Sequence, residues 1–195
     1  MFAPLTDVDD ETRRRLHARL VAAATDSDVL DVAYRTIDSP VGKLLLAATG
    51  AGLVRVAYSR EGHDHVLETL AEKVSPRILK APGRLDAIAR QIEEYFARKR
   101  THFDIPLDFQ LSRGFRREVL GHLPEIRYGT TASYAAVAAL SGSPKAVRAV
   151  GTACATNPLP VVLPCHRVIR SDGSMGLYAG GVEAKEQLLT LEASR

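Results

Sequence analysis

Residues 157–168 read NPLPVVLPCHRV: an apolar run, Val161, Val162 and Leu163, is stopped by Pro164, and Cys165, His166 and Arg167 follow at once. Pro158, Pro160 and Pro164 each fix their own φ and bias the residue before them toward extended backbone. Cys165 is therefore expected on a stiff, extended segment and not inside a regular helix. His166 and Arg167 beside it favour a lowered thiol pKa, and the thiolate is the reactive form of cysteine. A cysteine taken without its surroundings is more often a buried, inert packing residue. The residues around this one argue for chemistry.

Upstream, Ser133 is placed to cap a helix over 134–140, and Ser141, Gly142, Ser143 and Pro144 make a tight turn. Pro144 suits the first position of a second helix over 145–155. Two short helices joined by a Gly-containing turn form a helix-turn-helix. The second helix, KAVRAVGTACA, is crowded with small residues (Ala146, Ala149, Gly151) around a single arginine, Arg148. Helices that read the major groove carry long polar side chains. A small-residue face with one arginine instead predicts close approach to the minor groove, with a side chain entering the base stack. Tight packing inside the domain is the bland alternative. Cys154, on the same helix, is read as packing or DNA-facing. Ser112 is read as the N-cap of a helix running to 123, and residues 128–131 as a turn.

The first half has a different texture. Residues 7–25 read as an amphipathic helix with acidic residues at its start and Leu16, Leu20, Ala23 and Ala24 on its inner face. Strand-like runs at 32–37, 43–48 and 52–57 are separated by SPVG and TGAG turns and predict an antiparallel meander. Helices are expected over 63–73 and 85–98, then a short extended piece at 103–107. Nothing in residues 1–111 forms a catalytic constellation, so this half reads as scaffold.

The chain has 195 residues, 46% hydrophobic and 25% charged, an ordinary globular composition. The N-terminus is charged early and lacks a signal-peptide core, and no apolar run is long enough to cross a bilayer, so a cytoplasmic protein without a membrane partner is expected. Two cysteines fit a reducing compartment, and six scattered histidines give no zinc pattern, so no metal is expected. Charge is uneven: residues 112–195 carry ten Lys/Arg against six Asp/Glu, whereas residues 1–111 carry 16 against 17. The basic excess lies with Cys165 and points to a polyanion.

Tyr134, Arg148, Asn157, Pro-Cys-His-Arg-Val at 164–168, Gly-Leu-Tyr-Ala-Gly-Gly at 176–181 and Lys185 through Glu192, in that order and spacing, resemble the O6-alkylguanine-DNA alkyltransferases, also called methylated-DNA–protein-cysteine methyltransferases. The likeness is dense from about 112 to 192 and looser from about 32 to 107. It implies an α+β chain of two domains: an N-terminal α/β scaffold with a small antiparallel sheet, RNase H-like, over 31–111, and a mainly helical, winged-helix-like domain with the helix-turn-helix over 112–195. Residues 1–30 would be a helical extension. The resemblance makes Cys165 the acceptor nucleophile, His166 its base through a water, Glu192 the acid orienting His166, and Asn157 a support for the turn. Tyr134, Val168, Tyr178, Ala179 and Gly180 would line the guanine pocket. Arg148, with Lys145, Ala146, Val147, Ala149, Gly151 and Ser171, would meet the DNA.

The implied reaction moves the alkyl group of O6-alkylguanine, and of O4-alkylthymine, in double-stranded DNA onto Cys165, irreversibly and once per molecule, with no cofactor. A base inside the duplex is out of reach of an in-line sulfur nucleophile, so it must be flipped out. A monomer is expected in the absence of DNA, with Arg113, Arg116 and Arg117 as further phosphate contacts. Ala179 departs from the serine or other polar residue often found there, which bears on the range of adducts accepted. Two other classes compete. A non-catalytic lesion-binding protein would lack the acceptor cysteine, and a Cys–His hydrolase seldom places nucleophile and base side by side.

Overall fold

A computed structural model describes residues 9–193. The expectations for residues 1–8, including Asp7 at the start of the first helix, and for 194–195 lie outside the described residues. Helix α1 (Asp10–Asp26) starts at Asp9, whose carboxylate accepts from the Thr12 amide at 2.8 Å. Its inner face differs from the expected one. Leu16 and Leu20 are half exposed, and the helix rests on its host through Val21, buried Ala24 and His17, which donates to the Lys80 carbonyl at 2.6 Å.

Strands β1 (Val32–Ile37), β2 (Leu44–Thr49) and β3 (Gly52–Tyr58) form the expected antiparallel meander. The sheet is nonetheless mixed, because β4 (Ile78–Lys80) pairs parallel with β1 and gives the order β3-β2-β1-β4. That three-residue strand follows helix α2 (His63–Lys73) and is too short to show alternation in sequence. Along β2 the side chains alternate between two cores. Leu45 and Ala47 face the side where α2 buries Val66 and Leu70, while Leu44, Leu46 and Ala48 face the main core. A sheet covered on both faces accounts for the unbroken apolar run of β2. Helix α3 (Asp86–Phe96) follows a short turn and buries Ala89, Ile92 and Tyr95 on the main-core side.

The second half is mainly helical: α4 (Phe115–His122), α5 (Tyr134–Leu140), α6 (Val147–Ala155) and α7 (Gly181–Ala193). Ser133 caps α5 as expected, accepting from the Ala136 amide at 3.1 Å. Ser112 does not cap α4. The chain enters that helix through Gly114 at φ 55°, which suits glycine, and Ser112 is buried upstream. Helix α6 begins at Val147, two residues later than expected, because Pro144 and Lys145 are used up in the turn that ends with the Ala146 amide donating to Ser143. A parallel pair of two-residue strands, β5 (Ala132–Ser133) and β6 (Val168–Ile169), was not legible in the sequence and ties the start of α5 to the end of the Cys-His-Arg turn. A single apolar cluster runs from Ala24 through the sheet to Leu188, so the two halves share a core.

Candidate active site

The segment after α6 is almost wholly buried from Asn157 to Val168. Asn157 organises it. Its side-chain oxygen accepts from the Leu159 amide at 2.9 Å, and its Nδ2 donates to the Leu163 carbonyl at 3.0 Å and to Cys165 Sγ at 3.1 Å. Val161 sits at φ 71°, a conformation that opposes a β-branched side chain; such strain costs about 1–3 kcal/mol. The closure of this turn, with the Leu163 amide on the Leu159 carbonyl at 2.8 Å, holds it there. The other anchor comes from the scaffold. The free edge of β3 captures the segment, with the Val56 amide donating to the Pro158 carbonyl at 2.8 Å. Arg55, ion-paired to Glu61, donates to the same carbonyl at 3.4 Å.

Cys165 opens a single 3-10 turn, Cys165–Arg167, and is 1% exposed. Its thiol does not have the lowered pKa that its sequence neighbours suggested. Burial pushes it up to about 11, against the opposing effects of the Asn157 hydrogen bond and the Lys185 charge. Neither His166 nor the Arg167 charge is aimed at the sulfur. Both turn to Glu192 on α7, which is 2% exposed.

Glu192 collects five donors. Oε1 accepts from His166 Nε2 at 2.8 Å, Tyr95 Oη at 2.7 Å and Arg167 Nη2 at 3.0 Å. Oε2 accepts from Arg167 Nε at 2.8 Å and the Gly129 amide at 3.2 Å. Burial alone would raise its pKa, but the donors from His166 and Arg167 bring it down to about 2. An ionised carboxylate only accepts, so His166 carries its proton on Nε2. The imidazole pKa is lowered, chiefly by burial, and the ring is neutral near pH 7. His166 Nδ1 is therefore an unprotonated base, and it is buried with no protein partner among the described residues. Lys185, fully buried, donates to the Val168 carbonyl at 2.6 Å and lies 6.0 Å from the centre of the Tyr134 ring.

A groove of about 580 Å³ runs between α5, α6 and the loop before α7, walled by Tyr134, Val147, Arg148, Gly151, Arg170 and Ser171 among others; Cys165, His166 and Glu192 are not on its wall, and Tyr134 stands between it and the buried centre. Gly151, Thr152 and Ala155 of α6 form one side; of the small residues singled out in the sequence only Gly151 is on the wall. Tyr134 is pressed against Gly176 so closely that a Cβ there would collide with its hydroxyl. Burial pushes the Tyr134 phenol up to about 12, so it stays protonated at neutral pH and can donate a hydrogen bond.

Not every expected residue reaches the groove. Val168, Tyr178, Ala179 and Gly180 lie off its wall. Tyr178 is buried, its ring nearly perpendicular to that of His166 with 6.4 Å between centres, and its hydroxyl shares a hydrogen bond with Tyr58 at 2.9 Å. Lys145 and Ala149 are exposed beside the groove, and Ala146 is half-buried. Arg113 and Arg116 flank a separate cleft with Lys73, and Arg117 stacks over Phe109. Cys154 is 1% exposed and packs in the core, so it does not face outward.

Sequence reasoning missed Tyr95, Tyr58 and the β3 edge, all from the half read as pure scaffold. It also misdirected Arg167. A buried tyrosine within an amphipathic helix carries no local signal of a partner 97 positions away. Among the described residues no helix is long and apolar enough to cross a membrane.

Two family models cover most of the chain. Residues 32–109 match the ribonuclease-like domain of 6-O-methylguanine DNA methyltransferase, and residues 114–194 match its DNA-binding domain. A methylated-DNA–protein-cysteine methyltransferase of Mycobacterium tuberculosis is 40% identical over 162 residues, 83% of this chain and 93% of that protein. The crystal structure of the M. tuberculosis O6-methylguanine methyltransferase is similar with a TM-score of 0.73 at 38% identity, over 84% of this chain and 94% of that one. That of M. tuberculosis OGT in complex with DNA gives 0.70 at 39%, over 83% and 93%. With both halves matched in order and the Cys-His-Glu geometry in place, the chain belongs to the 6-O-methylguanine DNA methyltransferase family.

Proposed function

We propose that this protein repairs DNA by transferring the alkyl group of O6-alkylguanine, and of O4-alkylthymine, to Cys165. One observation carries the reading: a buried thiol held by Asn157 adjoins a neutral histidine whose free nitrogen is Nδ1 and whose other nitrogen is fixed by an ionised glutamate. His166 Nδ1 takes the thiol proton through a water, Sγ attacks the alkyl carbon, the C–O6 bond breaks and an S–C bond forms. The electron pair of the broken bond stays on the guanine, whose O6 accepts a hydrogen bond from the Tyr134 hydroxyl, and the thiol proton held on His166 returns through water to the guanine, leaving His166 neutral again. Because the resting thiol titrates near 11, the thiolate forms only as His166 withdraws its proton.

The thioether product has no group here to cleave it, so each molecule reacts once and no cofactor is required. A thiol that is 1% exposed receives the base only after the nucleotide leaves the duplex and Tyr134 parts from Gly176. Val168, Tyr178, Ala179 and Gly180 then frame the base from the inner side. Arg148, exposed on the groove wall, fills the gap left in the stack, and the small face of α6 admits the minor groove. Lys145, Ala146, Val147, Ala149, Gly151 and Ser171 border the DNA. The free protein is a cytoplasmic monomer in this reading.

Intact-protein mass spectrometry after incubation with duplex DNA containing O6-methylguanine tests it. A gain of one methyl group on Cys165, absent in Cys165→Ser, is expected. Tight binding to the lesion without any mass change would replace this reading with that of a lesion-binding protein.

A further inference from the structure

The N-terminal half contributes to the proton relay as well as to its support. We propose that Tyr95 on α3 is a positioning residue whose hydroxyl holds Glu192 Oε1 where that oxygen receives the His166 Nε2 proton, and thereby sets the basicity of His166. The inference rests on the alkyl-transfer reading. Tyr95 Oη and His166 Nε2 approach the same oxygen, at 2.7 and 2.8 Å. Tyr95 is 0% and Glu192 2% exposed, so bulk water does not substitute for either. The Tyr95 ring is itself fixed, with Phe96 and Phe103 at 5.3 Å and Tyr128 at 6.1 Å between ring centres.

Arg167 alone does not do this work. It spans both carboxylate oxygens from one side and is pinned to the Ile126 carbonyl at 2.6 Å, so it sets the carboxylate plane. Tyr95 approaches from the scaffold and limits rotation about that ion pair. It also withdraws electron density from Oε1. Without the phenol, Oε1 becomes a stronger acceptor, the imidazolium is favoured, and less neutral His166 is present at a given pH. The groups facing this pair are Arg167 of the same turn, Cys165 beside it, Lys185 on α7, Tyr178 in the loop before α7, and Tyr128 under Arg167. Tyr95→Phe leaves all of them in place and keeps the ring that packs the core.

The test compares wild type, Tyr95→Phe and Ile92→Val, a buried change one turn earlier on α3 that does not touch the relay. Two quantities are followed against pH: the rate of methyl transfer from O6-methylguanine duplex, and the His166 imidazole signals of the free protein by long-range 1H–15N NMR. In Tyr95→Phe the His166 midpoint and the acid limb of the rate profile are expected to rise together by roughly half to one pH unit. The rates of that variant and wild type should converge at higher pH. Ile92→Val should lower Tm and leave both midpoints unmoved. A Tyr95→Phe profile superimposing on wild type, or equal shifts in both variants, would overturn the proposal and leave Tyr95 a packing residue. If wild-type protein transfers nothing, the alkyl-transfer reading falls, while the His166 titration still decides the role of Tyr95.

Discussion

The turn Cys165–Arg167 has two sides built on opposite principles. Toward α7 and the scaffold, each oxygen of Glu192 is met by donors at 3.2 Å or less, and both partners in the His166–Glu192 pair are almost wholly buried. Toward α5 and α6 lies an open groove walled by small residues and two exposed arginines, Arg148 and Arg170. The closed side fixes a tautomer and a base before any substrate arrives, and low dielectric strengthens each of its hydrogen bonds. The open side makes few internal bonds and is free to accept a large polyanion. Reactivity is thus preorganised where water is excluded, and recognition is left to a surface that stays solvated.

Glu192→Gln strikes the closed side hardest. Loss of the acid that orients the base should slow transfer by about 10²- to 10⁴-fold in single-turnover kinetics. Leaving the Arg167 charge without its partner should cost roughly 3–5 kcal/mol in urea unfolding. The pH dependence follows in sign. A carboxylate held at about 2 when folded, against its ordinary value of 4.5, contributes stability that is present above pH 4.5 and lost as pH falls toward 2. His166, whose pKa is lowered from 6.5, adds a loss that begins below pH 6.5. Unfolding midpoints of wild type should therefore fall through both windows, and those of Glu192→Gln less steeply through the lower one, where Asp31 and Asp172 still titrate below their ordinary value. Equal slopes between pH 4.5 and 2 would deny that Glu192 is ionised in the fold.

The resting thiol separates the two sides next. With its pKa near 11 and the sulfur buried, Cys165 should react with iodoacetamide at pH 7 at least about a hundredfold more slowly than a free thiol. Rapid labelling would mean that the closed side is not closed.

Arg148→Ala addresses the open side. Transfer from duplex DNA should slow by roughly tenfold, a part of the few kcal/mol that unstacking takes, while transfer from free O6-alkylguanine base stays near wild type. An equal loss on both substrates would place Arg148 in the chemistry. The smallest effect belongs to Lys145→Gln. DNA affinity should fall a few-fold, and the slope of log K against log salt should drop by about 0.9 for one lost phosphate contact.

These two sides were unequally legible. Ser133 at its cap, the small-residue helix around Arg148 and the three-strand meander are local patterns, and they appear where the sequence placed them. Their boundaries slipped where a local rule met a competing one. Ser112 lost the cap of α4 to Gly114 because the chain had to enter that helix at positive φ. Lys145 was drawn into the turn before α6. Leu16 and Leu20 face outward because His17, Val21 and Ala24 make the contacts of α1.

The order NPLPVVLPCHRV, the tyrosine and arginine before it and the glutamate 27 positions after Cys165 by themselves determined the family and singled out Cys165 as the candidate nucleophile. Only the tertiary structure decided the electrostatics. Arg167 lies two positions after Cys165 in the chain, yet the 3-10 turn sends it to Glu192, so proximity in sequence did not become a lowered thiol pKa. Tyr95, Tyr58 and the Val56 amide reach the site from the scaffold through contacts spanning about 100 residues or more. A pKa depends on burial and on partners brought together by the shared core, and neither is written in residues read one after another.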